Sequence, residues 1–157
     1  MTRAEEPKKI LFVCTANICR SPMAEEIFNA LAEDRMLPFR AQSAGVAALE
    51  GEPMAPKASE ALEEVGIYTK GHRARQVSQR MLEEADLVLA MTPRHVAELR
   101  RLFGDSSRKI YTLLEYAKRA PSEEGISDPY GHSMSAFRTC VRQLFRYLDQ
   151  VVERLER

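Results

Sequence analysis

The chain has 157 residues, and its 23 Lys plus Arg balance 23 Asp plus Glu, so the formal net charge is zero. This length predicts about one domain, and a hydrophobic content of 45% excludes a disordered chain. The charge balance disfavours nucleic-acid binding through bulk positive charge, and no apolar run reaches the roughly 18 residues that a membrane span needs. Three cysteines are too few for a disulfide scaffold. Without a secretory signal at the polar N-terminus, we expect a cytoplasmic protein with reduced thiols.

Short apolar runs alternate with amphipathic segments along the chain. We expect residues 1–8 to form a flexible leader and residues 9–157 a single domain. The strands predicted in chain order are residues 9–13, 39–43, 85–91 and 109–112. Helices are predicted from Pro22 (capped by Ser21), from Pro56 (with Leu62 and Val65 inward and Gly66 after its end), from Pro93 (capped by Thr92), and over residues 134–155. This alternation favours a three-layer α/β fold, a four-stranded parallel sheet flanked by helices.

Ligands of such sheets bind beyond the carboxyl ends of the strands. The loop after the first predicted strand is residues 14–21, and the loop after the second is residues 43–51. The loop after the fourth strand contains Asp128. We expect these three loops to meet at one edge of the sheet.

The first of these loops reads CTANICRS, with Cys14 at a strand end and Arg20 at a helix start. A tight loop there directs its backbone N–H groups inward, and the helix N-terminus adds positive potential. Arg20 can bind two oxygens of a phosphate, and the same field favours the thiolate of Cys14. The pattern therefore predicts a cysteine nucleophile beneath a bound oxyanion, which the loop residues Thr15, Ala16, Ile18 and Cys19 also contact.

Three further polar residues fit this chemistry. Ser21 can hydrogen-bond the thiolate, and Asn17 tolerates the left-handed backbone that such a loop needs. Asp128 precedes a proline, which holds it in an extended conformation, and it can protonate a leaving group and then activate water. The loop amides and Arg20 neutralise a phosphate without a metal. The Cys14–Cys19 spacing also exceeds that of common zinc ligands, so we expect no metal and no cofactor.

Taken together, these residues resemble the low-molecular-weight protein tyrosine phosphatase family. The resemblance rests on VCTANICRSPMAE from Val13, SAG from Ser43, HRARQ from His72, ADLVLAMT from Ala85 and DPYG from Asp128. It implies the four-stranded parallel sheet, Cys14 as the nucleophile of a cysteinyl-phosphate mechanism, Arg20 as phosphate binder and Asp128 as general acid. It also implies a supporting hydrogen-bond network of Asn17, Ser21 and His72, and a reversible disulfide between Cys14 and Cys19.

The resemblance further suggests which phosphorylated residue is bound. A deep loop favours phosphotyrosine because phosphoserine is too short to reach the thiol, and the family pattern assigns apolar walls to Ile18, Leu49 and Tyr130. The chain also resembles bacterial protein-arginine phosphatases, which typically have threonine at the position of Ile18. Because Ile18 has no hydrogen-bonding group, we predict a phosphotyrosine substrate and keep phosphoarginine as the alternative.

Other functions fit the sequence less well. Arsenate reductases of this fold use further cysteines that the chain lacks between Cys19 and Cys140. A phosphoprotein-binding module without catalysis would not need the full set of thiol, arginine and aspartate. The expected partners are therefore tyrosine-phosphorylated proteins, such as a bacterial tyrosine kinase, and phosphate or a similar oxyanion, with no nucleic acid and no membrane. We interpret His95 and His132 as structural residues.

Overall fold

The computed structural model describes residues 7–104 and 109–157. The strands are β1 (Lys8–Cys14), β2 (Phe39–Gly45), β3 (Leu87–Ala90) and β4 (Ile110–Thr112). The helices are α1 (Arg20–Asp34), α2 (Pro56–Glu63), α3 (Gln79–Glu84), α4 (Pro93–Phe103), α5 (Leu113–Lys118) and α6 (Met134–Leu155). All strand pairs are parallel, in the order β2-β1-β3-β4. The predicted four-stranded parallel sheet flanked by helices is therefore confirmed.

Side chains of β1 alternate between the two faces of the sheet, as the twofold period of a strand requires. Ile10 and Phe12 belong to one apolar cluster, which they share with buried residues of α1, α2, α5 and α6. Leu11 and Val13 belong to a second cluster with buried residues of α3 and α4. The sheet thus has a helical layer on each face. Cys14, at the end of β1, belongs to the larger of the two apolar clusters.

The last helix shows the predicted pattern most clearly. Its buried apolar residues recur every three or four positions, which makes one continuous face; they include Phe137, Val141, Leu144, Leu148 and Val151. This face packs on α1, α2 and α5 and completes the apolar cluster on one side of the sheet, to which Cys14 also belongs. Within the described residues no helix is long and apolar enough to cross a membrane.

Several predicted boundaries differ from the structure. Lys8 already pairs with Phe39 in the sheet, so β1 takes one residue of the predicted leader, of which residues 1–6 lie outside the described residues. The inward orientation predicted for Val65 is wrong: the helix ends at Glu63, and Val65 is 48% exposed. The backbone turns away there because Gly66 has a φ of 83°, a conformation that ends helices.

Two short helices were not predicted from the sequence. The helix α3 spans six residues, capped by the Ser78 side chain, which accepts a hydrogen bond from the Met81 amide. The helix α5 follows β4 directly and begins with a reciprocal capping box between Thr112 and Glu115. A capping box is readable from sequence, whereas six residues are too few for a helical period to show.

Candidate active site

Backbone hydrogen bonds hold the end of β1 and the loop after it between the segments that follow β2 and β3. Cys14 ends β1 and is 3% exposed. Its carbonyl accepts a hydrogen bond from the Val46 amide at 2.9 Å, and the Thr15 carbonyl accepts one from the Ala47 amide at 2.9 Å. The Val13 carbonyl accepts from the Met91 amide at 2.9 Å on the other side. The segments after β2 and β3 therefore flank the loop of residues 14–21, hereafter the 14–21 loop.

The start of α1 corrects one prediction. The N-cap residue is Cys19, with no side-chain cap, and the helix begins at Arg20 rather than at Pro22. Ser21 does not cap the helix because its Oγ lies 2.8 Å from Cys14 Sγ and accepts a hydrogen bond from Asn17 Nδ2 at 2.9 Å. The first turn of the helix consequently offers its positive end to the loop without a competing side chain.

Asn17 is the buried centre of a hydrogen-bond network behind the loop. Its φ is 59°, the left-handed conformation that was predicted, and it is fully buried. Its Nδ2 donates to Ser21 Oγ and to Ser43 Oγ at 2.9 Å each, and its Oδ1 accepts from the Arg75 amide at 2.9 Å. The Asn17 carbonyl lies 2.7 Å from His72 Nε2. These four partners stabilise the loop although the left-handed conformation of Asn17 is unfavourable for residues other than glycine.

His72 contacts the back of the loop and does not line its cavity. Because its Nε2 partner is a carbonyl oxygen, that nitrogen carries the hydrogen and donates. Burial lowers the pKa of His72, although the hydrogen bond to Asn17 opposes this effect. Ser43 extends the same network outward, since its Oγ donates to Glu25 Oε1 at 2.6 Å, and burial raises the pKa of Glu25. Neither Glu25 nor Ser43 was predicted to be part of this network.

A close approach between β2 and the 14–21 loop accounts for the glycine of the SAG segment. Gly45 pairs with Cys14 in the sheet register. A Cβ built on it would lie 2.4 Å from the Thr15 carbonyl oxygen and 3.0 Å from the Asn17 nitrogen. Only glycine allows the backbone of β2 to approach the loop this closely.

Arg20 and Asp128 are close together, as predicted. The Arg20 side chain is 7% exposed, and its Nη2 lies 3.7 Å from Asp128 Oδ2. Nη1 donates to the Ile126 carbonyl at 3.0 Å, and Nη2 donates to Thr15 Oγ1 at 3.4 Å. Asp128 is half exposed, and its Oδ1 accepts from the Tyr130 amide at 3.1 Å. The carboxylate thus stands at the solvent side of a buried cation.

A cavity of about 230 Å³ opens above the thiol. The residues that line it are Cys14, Thr15, Ala16, Asn17, Ile18, Cys19, Arg20, Asp128 and Tyr130. Tyr130 is 61% exposed at the surface. Leu49, the other predicted wall residue, is 72% exposed and is not part of this lining. The structure therefore assembles the predicted residues around one cavity, apart from Leu49 and the supporting residues His72 and Ser21.

His95 also contacts the 14–21 loop. The sequence interpretation of His95 as a structural residue did not place it beside this loop. Its Nε2 lies 2.8 Å from Thr15 Oγ1, and its Nδ1 lies 2.8 Å from Thr92 Oγ1. His132, in contrast, is exposed. The available signal was topological: His95 lies in the first turn of the helix that follows β3, at the same sheet edge as Cys14.

The arrangement matches a group-transfer site for an oxyanion. A buried thiol lies below the cavity, and a helix N-terminus and a guanidinium surround the space where negative charge would reside. Such preorganised positive groups stabilise a transferring phosphoryl group. An exposed carboxylate at the opening can exchange protons with a leaving group and with water.

Comparison with known proteins agrees with this geometry. A family model described as "Low molecular weight phosphotyrosine protein phosphatase" matches residues 9–157. A protein-arginine-phosphatase of Bacillus subtilis is 38% identical over 94% of this chain and 97% of its own length. A probable low molecular weight protein-tyrosine-phosphatase, EpsP of Ralstonia solanacearum, is 34% identical over 94% and 96%.

A solved structure shares the fold. The crystal structure of a low molecular weight protein tyrosine phosphatase from T. tengcongensis superimposes with a TM-score of 0.89. It is 38% identical and covers 94% of this chain and 99% of that one. Members of this family are hydrolases that act on phosphate monoesters. The chain belongs to the low molecular weight phosphotyrosine protein phosphatase family.

Proposed function

We propose that this protein hydrolyses phosphotyrosine in proteins, with Cys14 as the nucleophile. The observation that carries the proposal is the cavity above the Cys14 thiol, which Arg20, Asp128 and Ile18 line together. The amides of the 14–21 loop and the start of α1 supply the remaining positive potential for the phosphate. The substrates are tyrosine-phosphorylated proteins, a bacterial tyrosine kinase among them.

The chemistry takes two steps. In the first, the Cys14 thiolate attacks phosphorus, the bond to the tyrosyl oxygen breaks, and protonated Asp128 gives its proton to that oxygen. In the second, Asp128 removes a proton from water, water attacks the cysteinyl-phosphate, and the Cys14 thiolate leaves again. Arg20 binds two phosphate oxygens throughout. The Ser21 hydroxyl, 2.8 Å from Cys14 Sγ, donates to the thiolate and makes it a better leaving group.

Ile18 supports phosphotyrosine over phosphoarginine. Its side chain lines the cavity, and its carbonyl accepts a hydrogen bond from the Ala55 amide at 2.9 Å, which fixes its backbone. An apolar wall favours an aromatic ring over a guanidinium, whose N–H groups would lose hydrogen bonds there. Tyr130 adds an aromatic surface to the cavity.

Phosphoarginine is the second candidate because the Bacillus subtilis relative, at 38% identity, is a protein-arginine-phosphatase. The test compares kcat/KM on two peptides of the same sequence, one with phosphotyrosine and one with phosphoarginine. We expect the wild type to prefer phosphotyrosine and Ile18→Thr to shift the ratio towards phosphoarginine. A wild-type preference for phosphoarginine would refute the substrate assignment but not phosphatase activity.

Cys14→Ser is the matched control for the mechanism. It should bind inorganic phosphate but release none from either peptide, since a serine hydroxyl is not ionised at neutral pH and is a far weaker nucleophile than a thiolate. If the wild type also bound phosphate without turnover, the protein would be a phosphoprotein-binding module. Turnover by Cys14→Ser at the wild-type rate would refute the cysteinyl-phosphate step.

We also propose that peroxide inactivates the protein reversibly. Cys14 and Cys19 are both free and buried in the same loop. Peroxide would convert the Cys14 thiolate to a sulfenic acid, and the Cys19 thiol would displace water from it to form a disulfide. Dithiothreitol should restore activity in the wild type. The Cys19→Ala variant should lose activity irreversibly, and equal recovery of both proteins would refute the disulfide.

A further inference from the structure

His95 joins the 14–21 loop to the segment between β3 and α4. It is 6% exposed, and both ring nitrogens contact threonine hydroxyls at 2.8 Å, Nδ1 that of Thr92 and Nε2 that of Thr15. The Thr92 hydroxyl also accepts from the His95 amide at 3.3 Å, which fixes the histidine at the start of α4. The ring therefore has little freedom, and so has the Thr15 hydroxyl that it contacts.

The Thr15 hydroxyl is in turn one of two oxygen acceptors for the Arg20 guanidinium. Nη2 donates to Thr15 Oγ1 at 3.4 Å, and Nη1 donates to the Ile126 carbonyl at 3.0 Å. Two acceptors on different nitrogens define the plane of a guanidinium. The orientation of Arg20 therefore depends on where these two oxygens are held.

Both acceptors are anchored to the same short segment, residues 91–95. The Ile126 amide donates to the Met91 carbonyl at 2.9 Å. A Cβ on Gly125 would lie 2.8 Å from the Met91 carbonyl oxygen and 2.8 Å from Thr92 Cγ2, so the two backbones are in close contact. The same segment holds the Thr15 hydroxyl through its contact with the His95 ring. A displacement of residues 91–95 would move both supports of Arg20 together.

The ring is uncharged in this position. Burial, with a smaller effect of the Arg20 charge, lowers the pKa of His95 to about 4. A neutral imidazole has one donor and one acceptor nitrogen, whereas an imidazolium has two donors. A neutral ring thus satisfies both threonines without placing a second positive charge beside Arg20.

We infer that His95 is a positioning residue for Arg20: it fixes the Thr15 hydroxyl, which holds Nη2 so that the guanidinium faces the bound phosphate. His95 touches neither substrate nor thiol in this role. The inference rests on the proposed function, in which Arg20 binds the phosphoryl group. It adds a residue from the first turn of α4 to a site otherwise built from the 14–21 loop and Asp128.

Two amide variants separate the contacts of the ring. In His95→Gln, the terminal amide occupies the position of Nε2 and can still reach Thr15 Oγ1. In His95→Asn, the shorter amide occupies the position of Nδ1, so it keeps the Thr92 contact and loses the Thr15 contact. We expect His95→Asn to weaken inorganic phosphate binding, measured by calorimetry, by about tenfold, the effect of one hydrogen bond to a charged group. The value of kcat/KM should fall by a similar factor, and His95→Gln should stay within about threefold of wild type.

Thr15→Val provides the coupling test, because valine keeps the shape of threonine and removes the hydroxyl. We expect it alone to weaken phosphate binding about tenfold, and the Thr15→Val/His95→Asn double variant to lose no more than that. Fully additive losses would overturn the inference. Equal losses in His95→Gln and His95→Asn that follow their melting temperatures would also overturn it, since they would show a purely structural role.

The same experiment distinguishes failure of the inference from failure of the proposed function. Phosphate affinity is measured on the protein itself and needs no assumption about the phosphorylated residue. A wild type that binds phosphate but hydrolyses neither peptide would refute the proposed function alone. A wild type that hydrolyses phosphotyrosine, with a His95→Asn variant of unchanged phosphate affinity, would refute the role of His95 alone.

Discussion

Replacing Gly45 with alanine tests whether the close approach of β2 sets the shape of the 14–21 loop. The added Cβ would lie 2.4 Å from the Thr15 carbonyl oxygen and 3.1 Å from the Ala16 carbonyl carbon, both backbone atoms. Ordinary van der Waals contact begins near 3.4 Å. The Thr15 peptide must therefore move by about 1 Å relative to β2. Gly45 is not among the glycines of positive φ, so the effect is steric and not conformational.

The expected magnitude follows from this displacement. Misplacing catalytic groups by about 1 Å costs on the order of a hundredfold in rate, which corresponds to about 2.7 kcal/mol of transition-state stabilisation. The loop amides that we propose to bind phosphate should move away from the Cys14 thiol, since Cys14 is held in β1 and the loop would be pushed outward. Overpacking should also lower the free energy of unfolding by about 1–3 kcal/mol.

The assay is kcat/KM on a phosphotyrosine peptide, together with phosphate affinity and the free energy of unfolding. Gly66→Ala is the matched control, since a Cβ there meets nothing within 4 Å although its φ is 83°. It should lose about 1 kcal/mol of stability through left-handed strain and keep wild-type activity. A Gly45→Ala variant with wild-type kcat/KM and phosphate affinity would refute the steric argument.

Three further predictions concern the supports of the site. Asn17→Ala should lower the free energy of unfolding by about 3 kcal/mol, because it leaves buried partners unpaired and strains the backbone. Denaturant titration should find Asn17→Gly about 1 kcal/mol more stable than Asn17→Ala. Gly125→Ala should displace the segment that carries Asp128, so kcat/KM should fall more for phosphotyrosine than for p-nitrophenyl phosphate, whose leaving group needs less protonation. Buried His95 should make the free energy of unfolding of the wild type fall relative to that of His95→Gln by about 1.6 kcal/mol from pH 6.5 to 5, measured by urea unfolding at each pH.

The sign of the last prediction follows from the two states of the histidine. The ordinary pKa of 6.5 applies to the unfolded chain, and burial lowers the folded pKa to about 4. Between these values the unfolded state binds a proton and the folded state does not, so acidification favours unfolding. His72 titrates in both proteins and cancels from the difference. A difference between wild type and His95→Gln that is independent of pH would contradict a neutral, buried His95.

Controls of the same kind apply to the first two. Equal stability of Asn17→Ala and Asn17→Gly would show that the left-handed conformation at that position carries no strain. A Gly125→Ala variant that loses activity equally on both substrates would indicate damage to phosphate binding, since Ile126 next to it accepts from Arg20.

Much of the site could be predicted because its chemistry lies in contiguous residues. The 14–21 loop carries the thiol, the arginine and the left-handed asparagine within eight positions, and a strand before it with a helix after it fixes their common direction. The Asp128 assignment needed one further step, the rule that the loops of a parallel sheet meet at the carboxyl edge. The helix start was wrong at Ser21, because a cap motif cannot reveal that the hydroxyl is already bonded to Cys14 and Asn17.

The sequence by itself determined the fold class, because hydrophobic periodicity encodes it. It also predicted the 14–21 loop and Asp128 as parts of one site, through local spacing, the rule for parallel sheets and the family resemblance. Only the tertiary structure decided how these groups are held. The contact of His95 with Thr15 spans 80 positions of sequence, and that of Arg20 with the Ile126 carbonyl spans 106. The need for glycine at position 45 likewise comes from a neighbouring strand. Contacts of this kind depend on strand order and on ångström-scale packing, which local patterns do not carry.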